Sequence, residues 1–367
     1  MPFRVLQVVP SLGRNGGVAQ MMLRVYRALD RHRFQFDFLT HDTPDEFQDE
    51  VRSLGARVFH VETLGRLGPF SYVATIRRII REQGPFAAVH VHTNYQAGIV
   101  GLAARLEKVD KRICHIQGTY ITWRNRVLLP MYRILIRLGC NLRLACNEEA
   151  GRLYYGSREF AVVPNAIDYE EFKYDALRAS AIRNELSLGS YEIALGQIGR
   201  FTIEKNHRFS IDVLEEMRKS GVNACLVLAG DGPLKRDIEK RVHAKGLAAH
   251  VRFLGVRTDI PALLAGLDVL LLPSHSEGQP TVVVEAQASG LPCFASDIVT
   301  RRVDFGLGLL AFLPLDSPAD WASSLRARHT GQHRQSLVIH ETFLRAGFDV
   351  HQSAKSLTAL YEPRGRP

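Results

Sequence analysis

The sequence predicts an α/β protein of two doubly wound, Rossmann-like domains facing a cleft. Three observations carry this expectation. The chain is 367 residues long, more than one ordinary core accommodates and right for two domains of roughly 150 to 200 residues. Short, β-branched apolar runs alternate with helical patterns along most of it, the mark of a parallel sheet with helices on both faces. That alternation breaks once, in a polar, charged stretch between Asn165 and Ser190, and resumes at Tyr191.

Val5 to Val9 reads as a buried strand. It runs through Pro10 to Gly13 and Asn15-Gly16-Gly17 into a helix from Val18 to Leu29. Phe34 to Leu39 is the next strand, Phe47 to Leu54 a helix and Arg57 to Val61 a strand. Tyr72 to Arg81 is a basic-faced helix, Ala88 to His92 a strand, Tyr95 to Leu106 a helix and Arg112 to Ile116 a strand. Beyond the break, Tyr191 to Ile198, Ala224 to Ala229, Val251 to Leu254, Val269 to Leu272 and Pro292 to Ala295 are strands. Helices at His207 to Arg218, Leu234 to Lys245, Ile260 to Leu264 and Thr281 to Ser289 separate them, and Val350 to Tyr361 is the last helix. The pattern gives a first domain at 1–168, a linker at 169–189, a second domain at 190–345, a final helix at 346–361 and a tail at 362–367.

Composition excludes some classes. A hydrophobic fraction of 46% with 23% charged residues is that of a folded protein, not a disordered one. No apolar run reaches the ~20 residues that span a bilayer, and the opening MPFRVLQVVP lacks a leader's apolar core, so a cytoplasmic protein is expected. The five cysteines form no CxxC pair and suggest buried thiols. Residues 1–170 hold 23 Lys or Arg against 16 Asp or Glu, which is seven of the chain's nine excess positive charges. A basic half attracts anionic partners.

Ligands in doubly wound folds sit at the carboxyl ends of strands, so the segments directly after each strand are candidate sites. Ser274 to Thr281 follows one strand and enters the helix closed by Gly290. Pro280 suits a first turn, where its missing N–H is no loss. Backbone N–H groups around Gly278, Gln279, Thr281 and Val282 form an anion site able to hold a diphosphate. Glu277, just outside the helix, is placed to accept sugar hydroxyls. Glu285 lies one turn in among Val282, Val283, Val284 and Ala286. A carboxylate there needs a partner, which a ribose would supply. The plainer alternatives are a Glu277 that complements the helix dipole and a solvated Glu285.

Gly199 to Asn206 also follows a strand, and its Arg200 and Lys205 would stabilise a departing diphosphate or be a simple surface pair. Gly16 and Gly17 allow close backbone approach, although the run is not GxGxxG and carries no dinucleotide fingerprint. The Ala229-Gly230-Asp231-Gly232-Pro233 turn is read equally well as a tight turn whose Asp231 bonds its own backbone. His90 and His92 share a strand face, and His115 precedes Gln117-Gly118. Two histidines invite a metal, but no third ligand has suitable spacing, so none is expected. His92 and His115 would touch a sugar or acceptor hydroxyl, or be packed and hydrogen-bonded. Lys111 to Asn147 contains seven Lys or Arg, no acid and many apolar residues. The segment 111–143 could lie on an anionic membrane surface or form a core helix with an arginine face, interrupted at Pro130. No nucleic-acid-binding module is present.

These segments resemble a known family. Ser276 to Pro292, SEGQPTVVVEAQASGLP, is similar to the E-x7-E signature of retaining GT-B glycosyltransferases of family 4, the glycosyl transferases group 1. GRFTIEKNH at Gly199 to His207, AGDGPL at Ala229 to Leu234, VVPNAID at Val162 to Asp168 and NGGV at Asn15 to Val18 resemble further family segments, so the likeness covers nearly the whole chain. Cys140 to Gly156 looks most like exopolysaccharide and capsule enzymes of the EpsF type.

The resemblance implies that a nucleoside-diphosphate sugar, UDP- or GDP-linked, donates to a glycan or a polyprenyl-diphosphate-linked glycan, with retention and without cofactor or metal. Arg200, Lys205 and Glu277 would be catalytic, the first two on the diphosphate and Glu277 on the transferred sugar. Gly16, Gly17, Gly278, Gln279, Pro280, Thr281 and Glu285 would bind the donor, with Glu285 on its ribose. Gly255 and Val256 would lie near the base, and the last helix would cross back onto the first domain. The family's usual histidine before a glycine is here Gln117-Gly118, so His92, His115 and Gln117 are the candidate sugar or acceptor contacts. The enzyme would work in the cytoplasm or at the inner face of the cell membrane. A sugar-nucleotide epimerase of the same layout and a noncatalytic nucleotide-sugar binder remain as rivals.

Overall fold

A computed structural model describes residues 2–13, 17–41, 46–118, 123–328 and 337–362. The described residues form two units, one of residues 1–166 with 347–367 and the other of residues 167–346. In the first, β1 (Phe3–Val8), β2 (Phe34–Thr40), β3 (Val58–His60), β4 (Ala88–Val91), β5 (Lys111–Ile116), β6 (Leu142–Ala145) and β7 (Ala161–Val162) line up as β3-β2-β1-β4-β5-β6-β7. In the second, β8 (Ile193–Ile198), β9 (Ala224–Ala229), β10 (Val251–Gly255), β11 (Val269–Leu272), β12 (Cys293–Ser296) and β13 (Leu310–Leu313) line up as β10-β9-β8-β11-β12-β13. Every pairing is parallel. Both units are therefore the expected doubly wound Rossmann-like α/β fold. Strand order reverses between β1 and β4 and between β8 and β11, and these are the points at which such sheets bind ligands.

Strand alternation separates the faces of the first sheet. Leu6 and Val8 of β1 enter the core on one side with Val89, Val91 and Cys114, while Val5 and Val9 enter the other. The second face is covered by helices Gly17–Ala28 and Val350–Tyr361. Tyr361 puts its ring edge-on to Phe36 at 5.9 Å. Lys111 Nζ donates to the Leu360 carbonyl at 2.6 Å and also to that of Glu362, which ties down the end of the last helix.

Three elements differ from expectation. Residues 169–189, expected as a linker, form helices Tyr169–Phe172 and Ala176–Glu185 within the second unit. Asp168 and Asp175 cap them, and Ile182 packs so closely on Gly266 that a Cβ there would lie 2.7 Å from it. The basic segment is one helix, Trp123–Gly139, running straight through Pro130. Pro130 is exposed, so water can serve the carbonyl it leaves unbonded, while glycines lock the inner face. A Cβ on Gly98 of helix Ala97–Leu106 would lie 2.4 Å from the Leu135 backbone, and one on Gly139 would lie 2.3 Å from the Gly98 carbonyl. The basic-faced helix is longer than expected, Leu64–Gln83, with a break at Gly68 where φ is 73°.

Candidate functional site

In the second unit the switch point lies between the loops that follow β8 and β11. The β8 loop carries Arg200 and Lys205, and the β11 loop carries Glu277. The His275 N–H donates to the Glu204 carbonyl at 2.7 Å, which ties the loops together. Lys205 Nζ meets Glu277 Oε1 at 2.5 Å, and the side chains are 23% and 9% exposed. Ser274 Oγ donates to the same oxygen at 2.7 Å, and Gln197 Nε2 holds the Lys205 carbonyl at 2.7 Å. Arg200 is exposed beside this pair's loop.

Three glycines explain how the cationic loop is seated. The Phe201 N–H donates to the Asp231 carbonyl at 3.0 Å and the Gly199 N–H to that of Ala229 at 2.9 Å. A Cβ on Gly230 would lie 2.1 Å from the Gly199 carbonyl and one on Gly232 would lie 2.6 Å from that of Phe201. The Ala229–Pro233 turn is thus the buttress of the Gly199–Phe201 backbone. Asp231 Oδ1 also accepts from the Gly232 N–H at 2.8 Å, as the tight-turn reading expected. Phe201 is fully buried and stacks on His207 at 4.1 Å, and burial pushes that imidazole down to about 4.

Gly278, Gln279 and Pro280 lead into helix Thr281–Ala288, with Pro280 just before its first residue. The first amides of a helix lack intrahelical acceptors and favour anions. Glu285 is buried one turn in. Gly255 ends β10 at a φ of 67° and accepts the Gly230 N–H at 2.7 Å, with Val256 exposed next to it. The neighbouring Arg257 guanidinium is bound by Asp259 at 2.6 Å and Glu185 at 2.7 Å, which holds it well above its ordinary range.

In the first unit Gly17 begins helix Gly17–Ala28 with open space around its Cα, while Gly16 lies outside the described residues. His90, His92 and His115 are all buried, and one nitrogen from each lies within 4.8 Å of the others. The third histidine that sequence spacing did not supply is therefore present. The parallel register explains it: His90 pairs with Ile113 and Val91 with Cys114, so the next step brings His92 beside His115. Both His92 nitrogens are occupied, Nε2 by Gln7 Oε1 at 3.0 Å and Nδ1 by Gln117 Nε2 at 3.1 Å. His90 Nδ1 meets Tyr361 Oη at 2.7 Å and His115 Nε2 meets the Val163 carbonyl at 3.2 Å. His92 and His115 thus face the interior of the unit. Burial lowers all three imidazoles, His115 to about 4, so the layer is neutral.

On the helix Trp123–Gly139 the exposed residues Trp123, Val127, Pro130, Met131, Ile134 and Leu138 recur every three or four positions and share one side. Exposed Arg126, Arg133 and Arg137 run along one edge of that stripe. Among the described residues no helix is long and apolar enough to cross a membrane.

Residues 180–303 match the family described as "Glycosyl transferases group 1", and residues 16–165 match a "Glycosyl transferase 4-like domain". Over 370 residues the chain is 38% identical to a Bacillus subtilis (strain 168) protein named as a glycosyltransferase, EpsF, covering 98% of this chain and 96% of that one. It is 26% identical to an Escherichia coli UDP-Gal:alpha-D-GlcNAc-diphosphoundecaprenol alpha-1,3-galactosyltransferase, covering 80% of this chain and 78% of that one. Among solved structures, Anabaena HepE in complex with UDP and glucose superposes with a TM-score of 0.78 at 20% identity, covering 97% of this chain and 98% of HepE.

Proposed function

The chain belongs to the glycosyl transferases group 1 and is a glycosyltransferase; from that premise we propose that it moves a sugar, with retention, from a UDP-sugar to a glycan or polyprenyl-diphosphate-linked glycan in surface-polysaccharide synthesis. The observation that carries this reading is the pair of loops tied at the β8–β11 switch point, which brings Arg200, Lys205, Glu277 and the start of helix Thr281–Ala288 together.

Arg200, Lys205 and the backbone N–H groups of Gly278, Gln279 and Thr281 stabilise the diphosphate as the bond from its oxygen to the anomeric carbon breaks. Glu277 accepts hydroxyls of the transferred sugar, and Glu285 those of the ribose. The acceptor oxygen bonds to the anomeric carbon on the face the diphosphate leaves. Its proton passes to a phosphate oxygen of the leaving group, so neither a protein nucleophile nor a metal takes part. The UDP and glucose bound by HepE support this donor, and the lipid-linked acceptor named for the Escherichia coli relative supports this acceptor class. The arginine-edged apolar stripe supports docking on the anionic inner face of the cell membrane, where such acceptors reside.

The test is transfer from a panel of UDP- and GDP-sugars to polyprenyl-diphosphate-linked acceptors, before and after chelation, with Glu285→Ala alongside. A UDP-sugar should be used, chelation should leave the rate unchanged, and Glu285→Ala should lose at least about tenfold. A Glu285→Ala enzyme as active as the parent would remove Glu285 from the donor site.

A further inference from the structure

One chain of hydrogen bonds crosses the first unit from its last helix to the end of β5. Tyr361 Oη meets Gln7 Nε2 at 3.3 Å, Gln7 Oε1 meets His92 Nε2 at 3.0 Å, and His92 Nδ1 meets Gln117 Nε2 at 3.1 Å. Gln117 is held independently at its backbone, where its N–H donates to Asn94 Oδ1 at 3.1 Å. Its Oε1 is buried and has no hydrogen-bond partner among the described residues.

Each link is directional. The buried His92 is neutral, so one ring nitrogen donates and the other accepts. Gln7 Oε1 can only accept, so Nε2 carries the proton and Nδ1 is bare. Gln117 must then turn its N–H2 to His92 and leave its carbonyl oxygen as the unpaired end. Gln7 is itself set by Tyr361, whose hydroxyl accepts from Gln7 Nε2 and also meets His90 Nδ1 at 2.7 Å. Were Tyr361 to donate to Gln7 instead, every link would reverse and Gln117 would present N–H2. A buried acceptor without a donor is unfavourable until something fills it. This one stands just past the carboxyl end of β5, next to Gly118, on the side of the sheet where doubly wound folds take ligands.

We infer that Gln117 Oε1 accepts a hydroxyl of the transferred sugar or the acceptor, and that Tyr361, Gln7 and His92 are positioning residues that fix its polarity. This rests on the glycosyl-transfer reading above.

The test is a double-mutant cycle with Tyr361→Phe, which keeps the ring against Phe34 and Phe36 and removes only the hydroxyl, and Gln117→Ala. Tyr361→Phe should lower kcat/KM about fivefold to tenfold. That loss should vanish in the Gln117→Ala background, whereas any shift in melting temperature should persist there. Additive losses in kcat/KM would overturn the inference while leaving sugar transfer by the parent intact. If the parent transferred no sugar from any donor, the transferase reading would fall first. Nitrogen NMR of the His92 ring then decides the relay by itself. A pure Nε2–H tautomer that becomes mixed in Tyr361→Phe supports it, and a ring indifferent to Tyr361 overturns it.

Discussion

Acidification should loosen the first unit through its buried histidines. His115 is 1% exposed, and burial lowers its imidazole from an ordinary 6.5 to about 4, against the opposing effect of its bond to the Val163 carbonyl. Unfolded, the ring binds a proton below about 6.5; folded, it stays neutral until about 4. The unfolded state therefore holds more protons throughout that window. The stability contributed by the neutral ring is complete above pH 6.5 and is lost as pH falls toward 4. At 1.36 kcal/mol per unit the whole window is worth on the order of 3 kcal/mol, and pH 5 removes about 2 of it. His90 and His92 shift the same way from burial and mutual repulsion, and so steepen the loss. Native-state hydrogen exchange at Val91 and Ile116, corrected for intrinsic rates, reads this unit directly. Opening free energies should drop by about 2 kcal/mol or more between pH 7.5 and pH 5. His115→Asn should flatten the slope. Equal opening free energies at the two pH values would refute the buried, neutral layer.

Lys205→Met should weaken UDP binding, measured by calorimetry, by about 1.5 to 3 kcal/mol. Adding Glu277→Gln should restore part of it, because a carboxylate with 9% exposure would no longer face the phosphates alone; strictly additive losses would separate the two residues. Gly98→Ala should destabilise by about 1 to 3 kcal/mol in thermal melts despite alanine's better helix propensity, because its methyl meets backbone at 2.4 Å. Trp123→Ser with Val127→Ser should reduce sedimentation with anionic phospholipid vesicles at least about tenfold. Those vesicles should also release the parent in high salt, and equal binding to neutral vesicles would discount the arginine edge.

The residues of the β8 and β11 loops were legible because the signal is local. A short apolar strand followed by GRFTIEK, and another followed by SEGQPT, each announce a strand, a polar loop and a helix within about a dozen residues. What escaped depends on topology. Lys205 and Glu277 are 72 residues apart and meet only because β8 and β11 are neighbours. His115 joins His90 and His92 through the β4–β5 register, which spacing alone does not reveal. Tyr361 reaches Gln7 across 354 residues. The helices within 169–189 did leave a signal, since Asp168 and Asp175 each precede a helical run as an N-cap does. The many charges around them masked it. At Pro130 the helix-breaking rule yielded to packing, because Gly98, Gly101 and Gly139 let two helices approach closely enough to hold the turn.

The first unit is discontinuous in the chain, and this has a consequence for how the molecule is made. Its last helix leaves the ribosome only after all of residues 167–346. At about 5 to 20 residues per second, roughly 10 to 40 s separate β7 from Tyr361. Through that interval Phe34 and Phe36 lack the ring that covers them, and Gln7 and His90 lack its hydroxyl. The nascent protein exposes an aromatic surface that chaperones can hold, and the polarity of Gln117 is not set until translation has passed residue 361. A ribosome that stalls in the final helix leaves a polypeptide whose second unit is complete but whose first is unfinished.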